Sequence, residues 1–440
     1  MSLLEHPEAQ ALLNDAIVTP NSVRECSDSL TSFLQRYLPR FYRAEQREHA
    51  TQVIRGLLSG LERKTCEPIA NEAGQPRKPI QFFVGAGKWD DENVMAEMRM
   101  HVREEIADPD GVVVVDPSAF PKKGTESCGV DRQWCGRLGK VDNCQVGVFL
   151  AYAAKDGYGP LDRQLYLPKE WAADRQRRAK CHVPSKIRFQ EKWRIALELL
   201  DRSLPGLPHG WIVGDDEFGR ATEFRAELRR RGERYVLDIP CNTLVRDLEQ
   251  PPPSREASRG RDRKTPFQRV DAWAKSQPTS RWERHTIRDA EKGPLEVEML
   301  SARVQSKEAG RVGPEERLVV IRSVGESRTD YALSNASLEV PLVEIGRAQR
   351  QRHRIEEMFA AGNGEAGLDH YEVRSWVGWH HHMTLALIAL WYLCLERRRV
   401  GGKNPGNHGV PNKTDLHSSP PLSSADARRD RRGDIYRSAA

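Results

Sequence analysis

The sequence predicts an α/β fold: a mixed sheet preceded by helices, interrupted by a β-rich insertion and closed by further helices. Three observations predict it. Val112–Val115 is an unbroken run of β-branched residues, read as a strand buried on both faces. Between Gly111 and Pro240, short apolar runs alternate with helical periodicities, the pattern of an α/β sheet. Before and after that region apolar residues recur at helical spacing, except over a stretch rich in strand-like runs.

In chain order, residues 1–105 read as a helical N-terminal region and a candidate DNA-binding element. Its clearest amphipathic stretches are Ser29–Leu38 and Arg43–Leu58. Arg43, Arg47 and Arg55 flank the second apolar stripe; such cations ordinarily form the solvated face of a core helix, and DNA docking is the alternative. Residues 74–79 read as a polar linker and Met95–Glu105 as a helix. Residues 106–240 are expected to hold strands at Val112–Asp116, Cys144–Ala153, Arg163–Leu167, Trp211–Asp215 and Tyr235–Ile239, with Pro117 ending the first. Helices are expected at Ser185–Arg202 and Ala221–Arg231. Residues 241–340 read as a β-rich insertion, with a basic, exposed and mobile run at Ser254–Lys264 and strands at Leu295–Val304, Arg317–Ser323 and Asp330–Ser334. Helices return at Arg347–Ala361 and Trp376–Arg398 within 341–399, and 400–440 has the composition of a disordered tail.

Composition narrows the function. A chain of 440 residues exceeds one small core. Lys plus Arg total 69 against 63 acidic residues, a net charge of +6 weighted to Arg, which mildly favours a nucleic-acid partner or reflects a GC-rich genome. Eight cysteines without a CxxC pair signal neither a zinc ribbon nor a disulfide scaffold and fit a reducing, cytoplasmic setting. Cys128, Cys135, Cys144 and Cys181-His182 match no compact zinc spacing. His380–His382 point in three directions on a helix and do not converge on one ion. Met1–His6 lack the basic start and apolar core expected of a signal peptide, and the apolar run Leu385–Leu395 is too short for a bilayer. No phosphate-loop or GxGxxG pattern opens a helix, so nucleotide binding is unsupported.

What remains is a set of carboxylates. The valine run stops on Asp116, and a second apolar run, Gly210–Gly214, stops on Asp215-Asp216-Glu217. Two strands ending in carboxylates point to one shared site, although Asp116 could simply cap a turn. Strand alternation favours Asp215 over Asp216. In the helical run from Arg347 to Asn363, Gln349, Arg352, Glu356 and Asn363 lie close to one face. On spacing alone Arg352 and Glu356 could be an i,i+4 surface pair, and Glu365 is an alternative third acid.

These motifs together resemble the DDE transposases of bacterial insertion sequences, in the branch whose third motif is the YREK signature: Tyr, two residues, Arg, three residues, Glu, six residues, Lys. Arg352 and Glu356 match its Arg and Glu; Gln349 stands for the Tyr and Asn363 for the Lys. The strand ending in Asp116 is similar to the first Asp motif and Gly214–Gly219 to the second. Lys88–Asp90, Leu165–Trp171, Gly364–Trp376 and Gly378–Ala386 also resemble one insertion-sequence branch. The resemblance spans roughly residues 30–398.

The resemblance implies a ribonuclease H-like catalytic domain in which Asp116, Asp215 and Glu356 hold two Mg2+ ions, with Mn2+ as substitute. Asp116 would bridge both ions, Asp215 hold one and Glu356 the other. Arg352, Gln349, Asn363, Lys122 and Lys123 are the expected DNA contacts, and the departures at 349 and 363 bear on how strand ends are positioned. The implied activity is cleavage and joining of element ends by a homodimer on double-stranded DNA. Its rivals are a catalytically defective DNA-binding descendant and a nuclease without strand transfer.

Overall fold

The computed structural model describes residues 20–251, 264–290, 293–325 and 328–401. Most of the expected mobile run and all but the first two residues of the expected tail lie outside these. Helices come first: α1 (Pro20–Tyr37), α2 (Ala44–Leu58), α3 (Cys66–Glu72), α4 (Arg77–Gly85) and α5 (Asp91–Ile106). α2 buries Ala50, Val53, Ile54 and Leu57, while Arg47 folds back onto the Phe41 carbonyl (2.9 Å). Asp90 caps α5, its carboxylate accepting from the N–H groups of Glu92 and Asn93 (3.1 and 3.2 Å). The linker expected over 74–79 is shorter, because Arg77 already opens α4. The apolar faces of these helices share one core with the sheet that follows, from Phe33 and Ile54 to Val113 and Leu150.

The sheet begins with β1 (Val112–Pro121), β2 (Asp131–Cys135), β3 (Lys140–Ala154) and β4 (Gly157–Leu165). The short helices α6 (Lys169–Ala173) and α7 (Arg175–Lys180) precede α8 (Lys192–Ser203). Then come β5 (Trp211–Gly214), α9 (Asp216–Arg220), α10 (Thr222–Arg230) and β6 (Tyr235–Asp238). β3 lies antiparallel between β1 and β4, and β5 and β6 run parallel to β1. Three antiparallel strands followed by two parallel ones make the ribonuclease H-like arrangement.

Two expectations need correction here. β1 does not end at Pro117. Beyond Val115 it has lost β5 and pairs with β3 alone, down to Pro121↔Cys144. Pro117 therefore sits on an open edge, where a missing N–H costs no ladder bond. The helix expected from Ser185 starts only at Lys192, because the preceding segment is tied into turns. There the Arg178 guanidinium donates to the carbonyls of Pro184 (3.1 Å) and Ile187 (2.9 Å).

The β-rich region continues the same sheet. It comprises β7 (Leu244–Asp247), β8 (Gln268–Arg269), α11 (Val270–Lys275), β9 (Glu283–Ala290), β10 (Gly293–Glu308), β11 (Arg311–Ser323) and β12 (Thr329–Ser334). β12 pairs antiparallel with β6, Ala332 opposite Asp238, and β11 and β10 follow outward. Beneath them a second small core forms around Val245, Trp273, Leu300 and Leu318. Two helices close the fold, α12 (Leu342–Glu365) and α13 (Trp376–Gly401), both longer than their apolar spacing indicated. α13 buries Trp379, Leu385–Leu390 and Trp391. A Cβ at Gly159 on β4 would come 2.6 Å from the Trp391 ring, so glycine is required for that strand to meet the helix. Among the described residues no helix is long and apolar enough to cross a membrane.

Candidate active site

The parallel strands bring the carboxylates together. Val115 is in register with Gly214, and Gly214 with Leu237. The next residues, Asp116, Asp215 and Asp238, therefore stand in a row at the same end of β1, β5 and β6, with adjacent strands about 4.8 Å apart. Asp215 is also the N-cap of α9: its Oδ1 accepts from the N–H groups of Glu217 (3.1 Å) and Phe218 (3.3 Å). That helical turn, rather than strand alternation, turns its neighbours outward. Asp216 is exposed near Arg220, and Glu217 pairs with Lys192 at 2.8 Å. Gly219 ends the motif because a Cβ there would lie 1.8 Å from the Asp238 carbonyl oxygen, so only glycine lets α9 rest against β6.

α12 supplies the fourth acid. Ile345, Ile355, Met358 and Phe359 are buried, and the Phe359 ring meets Phe149 of β3 edge-on at 5.2 Å. This seats the helix on the sheet and leaves Arg352 and Glu356 at the rim of the carboxylate row. Arg352 donates one guanidinium nitrogen to Asp238 Oδ2 and another to Glu356 Oε1 (2.7 Å). Gln349 donates its Nε2 to Asp238 Oδ1 (3.0 Å). Arg352 and Asp238, with Thr329, Asp330 and Tyr331 of β12, line an open cleft that also takes in Asp215.

The electrostatics follow from crowding like charges. Burial and the neighbouring Asp215 charge push the Asp116 carboxyl up to about 8, against the pull of Arg352. Asp215 rises to about 6, by burial first and then by Glu217 and Asp216, again opposed by Arg352. Burial also raises Asp238, which Arg352 counters. Burial works against the Arg352 charge, yet Asp238, Asp116, Glu356 and Asp215 overcome it and hold the guanidinium firmly protonated.

Residues 36–294, more than half of the chain, match the family described as DDE superfamily endonuclease. The chain belongs to this family. The matched stretch contains Asp116, Asp215 and Asp238 and ends before α12. A second comparison pairs 196 residues, at 29% identity, with the "Probable transposase for insertion sequence element IS701" of Microchaete diplosiphon. That alignment takes in 44% of this chain and 49% of the relative, so the chain spans about half the length of the curated relative it matches.

DDE superfamily endonucleases depend on divalent metal, and the donor set here fits such an ion in chemistry. The donors are hard carboxylate oxygens, and a bound cation would offset both the burial and the repulsion from Asp215 that raise Asp116. Among the described residues, however, no three acidic, histidine or cysteine side chains are drawn into one closed ligand cluster. The reason is visible in α12: the Glu356 carboxylate, half exposed, is engaged by Arg352.

The remaining predicted positions lie apart from this row. Gln349 is 4% exposed and braces Asp238 from below, so it is no surface contact for DNA as expected. Asn363 is two turns beyond Glu356, about 10 Å along the helix. Lys122 is six residues past Asp116 along an extended chain, about 20 Å away. It lies 3.4 Å from the Tyr371 ring centroid, and burial brings its pKa down to about 8. Lys123 beside it is exposed. Glu365 is the last residue of α12, where the buried Lys64 ammonium donates to its carbonyl, far from Asp116. His380–His382 are buried and face backbone carbonyls of Trp376, Val84, Trp89 and Gly367. The sequence reading missed Asp238, although its signal was present: Tyr235-Val-Leu-Asp238 is a third short apolar run ending on an aspartate.

Proposed function

We propose that this DDE superfamily endonuclease is a transposase that cleaves insertion-sequence ends and joins them to target DNA. The observation that carries the reading is the row of strand-end carboxylates facing an acid on a packed helix. Asp116, Asp215 and Glu356 are the residues that would hold Mg2+, with Mn2+ as substitute. Such ions, when bound, supply Lewis-acid activation of the attacking oxygen and stabilisation of the leaving one.

The chain's own residues supply the frame. β1 and β5 fix Asp116 and Asp215 at rigid strand ends, and the α9 N-cap holds Asp215 through two backbone N–H groups. α12 presents Glu356 from a helix whose other face is core. Arg352 balances part of the anionic charge against which a DNA phosphate must approach. Lys123 and the cations of α2 are candidate backbone contacts. Two element ends must be held together, so the working form is a homodimer on double-stranded DNA in the cytoplasm, associated with the nucleoid.

The test is a plasmid carrying the gene with its native flanks, incubated with purified protein and Mg2+. Cuts at the flanks that disappear with EDTA or with Asp116→Asn support the reading. Metal-independent cuts, or cuts that persist in Asp116→Asn, sink it. Flank binding without any cut in the wild type also sinks it.

A further inference from the structure

We propose that Asp238 is a positioning residue that keeps Arg352 from neutralising the Asp116–Asp215 pair, so that the pair stays free to take a divalent cation. The inference rests on the reading of Asp116 and Asp215 as metal-holding carboxylates, and goes beyond it by giving a role to a strand end outside the three expected acids.

The argument begins with Arg352. Its guanidinium is a permanent cation set among four carboxylates, with Asp238, Asp116, Glu356 and Asp215 all attracting it. A cation that can reach Asp116 and Asp215 competes directly with a metal ion for the same negative charge. Arg352 instead donates to Asp238 and Glu356. Asp238 is well built to hold it there. Its side chain is 12% exposed, and both carboxylate oxygens are committed, Oδ1 to the Gln349 amide and Oδ2 to Arg352. Its backbone is pinned on two sides, by pairing of β6 with β5 and β12 and by close contact with Gly219. Gln349, carried one turn before Arg352 on α12, presents an amide N–H to the carboxylate, so the acid keeps one orientation toward the guanidinium. Removing the Asp238 charge leaves Arg352 with Asp116 and Asp215 as its strongest remaining buried partners. The guanidinium then swings to the strand-end pair and closes the site to divalent ions.

The test measures Mn2+ affinity of the full chain by electron paramagnetic resonance of free Mn2+, with circular dichroism as a check of folding. Asp238→Asn is expected to weaken Mn2+ binding 10- to 100-fold, the range seen when outer partners of metal ligands are removed. The double variant Asp238→Asn/Arg352→Gln is expected to regain most of that affinity, because the competing cation is gone. A merely structural role for Asp238 would show no such rescue. Wild-type affinity in Asp238→Asn, or a double variant as weak as the single one, overturns the proposal. If Asp238→Asn does not fold, Gln349→Met, which keeps the volume and removes one hydrogen bond to Asp238, is expected to weaken Mn2+ binding a few-fold; unchanged affinity there overturns it equally. Wild-type protein that binds no Mn2+ dependent on Asp116 would instead refute the metal-site reading itself.

Discussion

The half-buried Asp116 and the fully buried Asp162 both lie beside β3, opposite Phe149 and Leu150 respectively, yet their surroundings are opposite. Asp162 on β4 is fully buried and accepts from Arg99 (3.1 Å), twice from Arg202 (2.9 and 3.0 Å), from Ser203 (3.1 Å) and from its neighbour's backbone N–H (2.8 Å). Burial alone would raise its pKa, but Arg202, Arg99 and Arg163 prevail and hold it below the ordinary value. Asp116 has Asp215 and Glu356 for neighbours and one shared arginine, and its pKa is driven up. One acid is completed by the fold and the other is left incomplete. Burial raises both carboxyls, so it does not decide which way each finally shifts; the sign of the neighbours does.

The comparison breaks most visibly in activity. Asp116→Asn is expected to lower metal-dependent DNA cleavage at least ~1,000-fold, equivalent to about 4 kcal/mol, measured as the initial rate of flank cutting. Asp162→Asn should do its damage to folding. It strands three arginines around a neutral amide and is expected to cost about 3–5 kcal/mol of stability in urea denaturation. Asp116→Asn in the same assay should cost nothing and instead stabilise the fold near neutral pH, because it removes a charge that burial and Asp215 disfavour.

The pH dependence sharpens the contrast. A carboxyl raised from 3.8 to about 8 binds more protons folded than unfolded between those values, so its contribution to stability falls as pH rises. In EDTA between pH 6.5 and 8, wild-type stability should fall relative to Asp116→Asn by up to about 1.4 kcal/mol per pH unit. On the acid side, burial lowers His101, His380 and His382 to about 4. They stay neutral in the fold while the unfolded chain takes protons below 6.5, so stability is lost as pH falls from 6.5 towards 4. A urea series across that range should show uptake of two or more protons on unfolding. The smallest effect belongs to an ordinary exposed pair: Glu126→Gln, which removes the partner of Lys180, should leave the urea midpoint unchanged.

Much of this was legible in the sequence because it depends on local patterns. Four valines before an aspartate, and Gly214–Gly219 after an apolar run, announce strand ends without any knowledge of what lies beside them. The face carrying Arg352 and Glu356 follows from helical geometry. What was hidden depends on pairing between distant segments. That β1 continues past Pro117 depends on which neighbour is lost there, and pairing partners are not written locally. Asp238 ends a short apolar run as Asp116 and Asp215 do, but that run does not say that β6 lies parallel to β5 and carries it beside them. Gln349 reads as a departure from a signature, but its burial against Asp238 appears only once α12 is docked. The arginines around Asp162 come from three separate elements, so no single stretch of the sequence gathers them.

The join between the two cores has a mechanical consequence. Asp238 closes β6 and, through Ala332, is the first rung by which the outer strands are attached. No hinge loop intervenes at that rung, so a twist or pull applied to β10 and β11 is transmitted along hydrogen-bonded rows to the residue that grips Arg352. The outer strands are thus geared to the carboxylate end of the sheet, and the tooth that engages them is an aspartate.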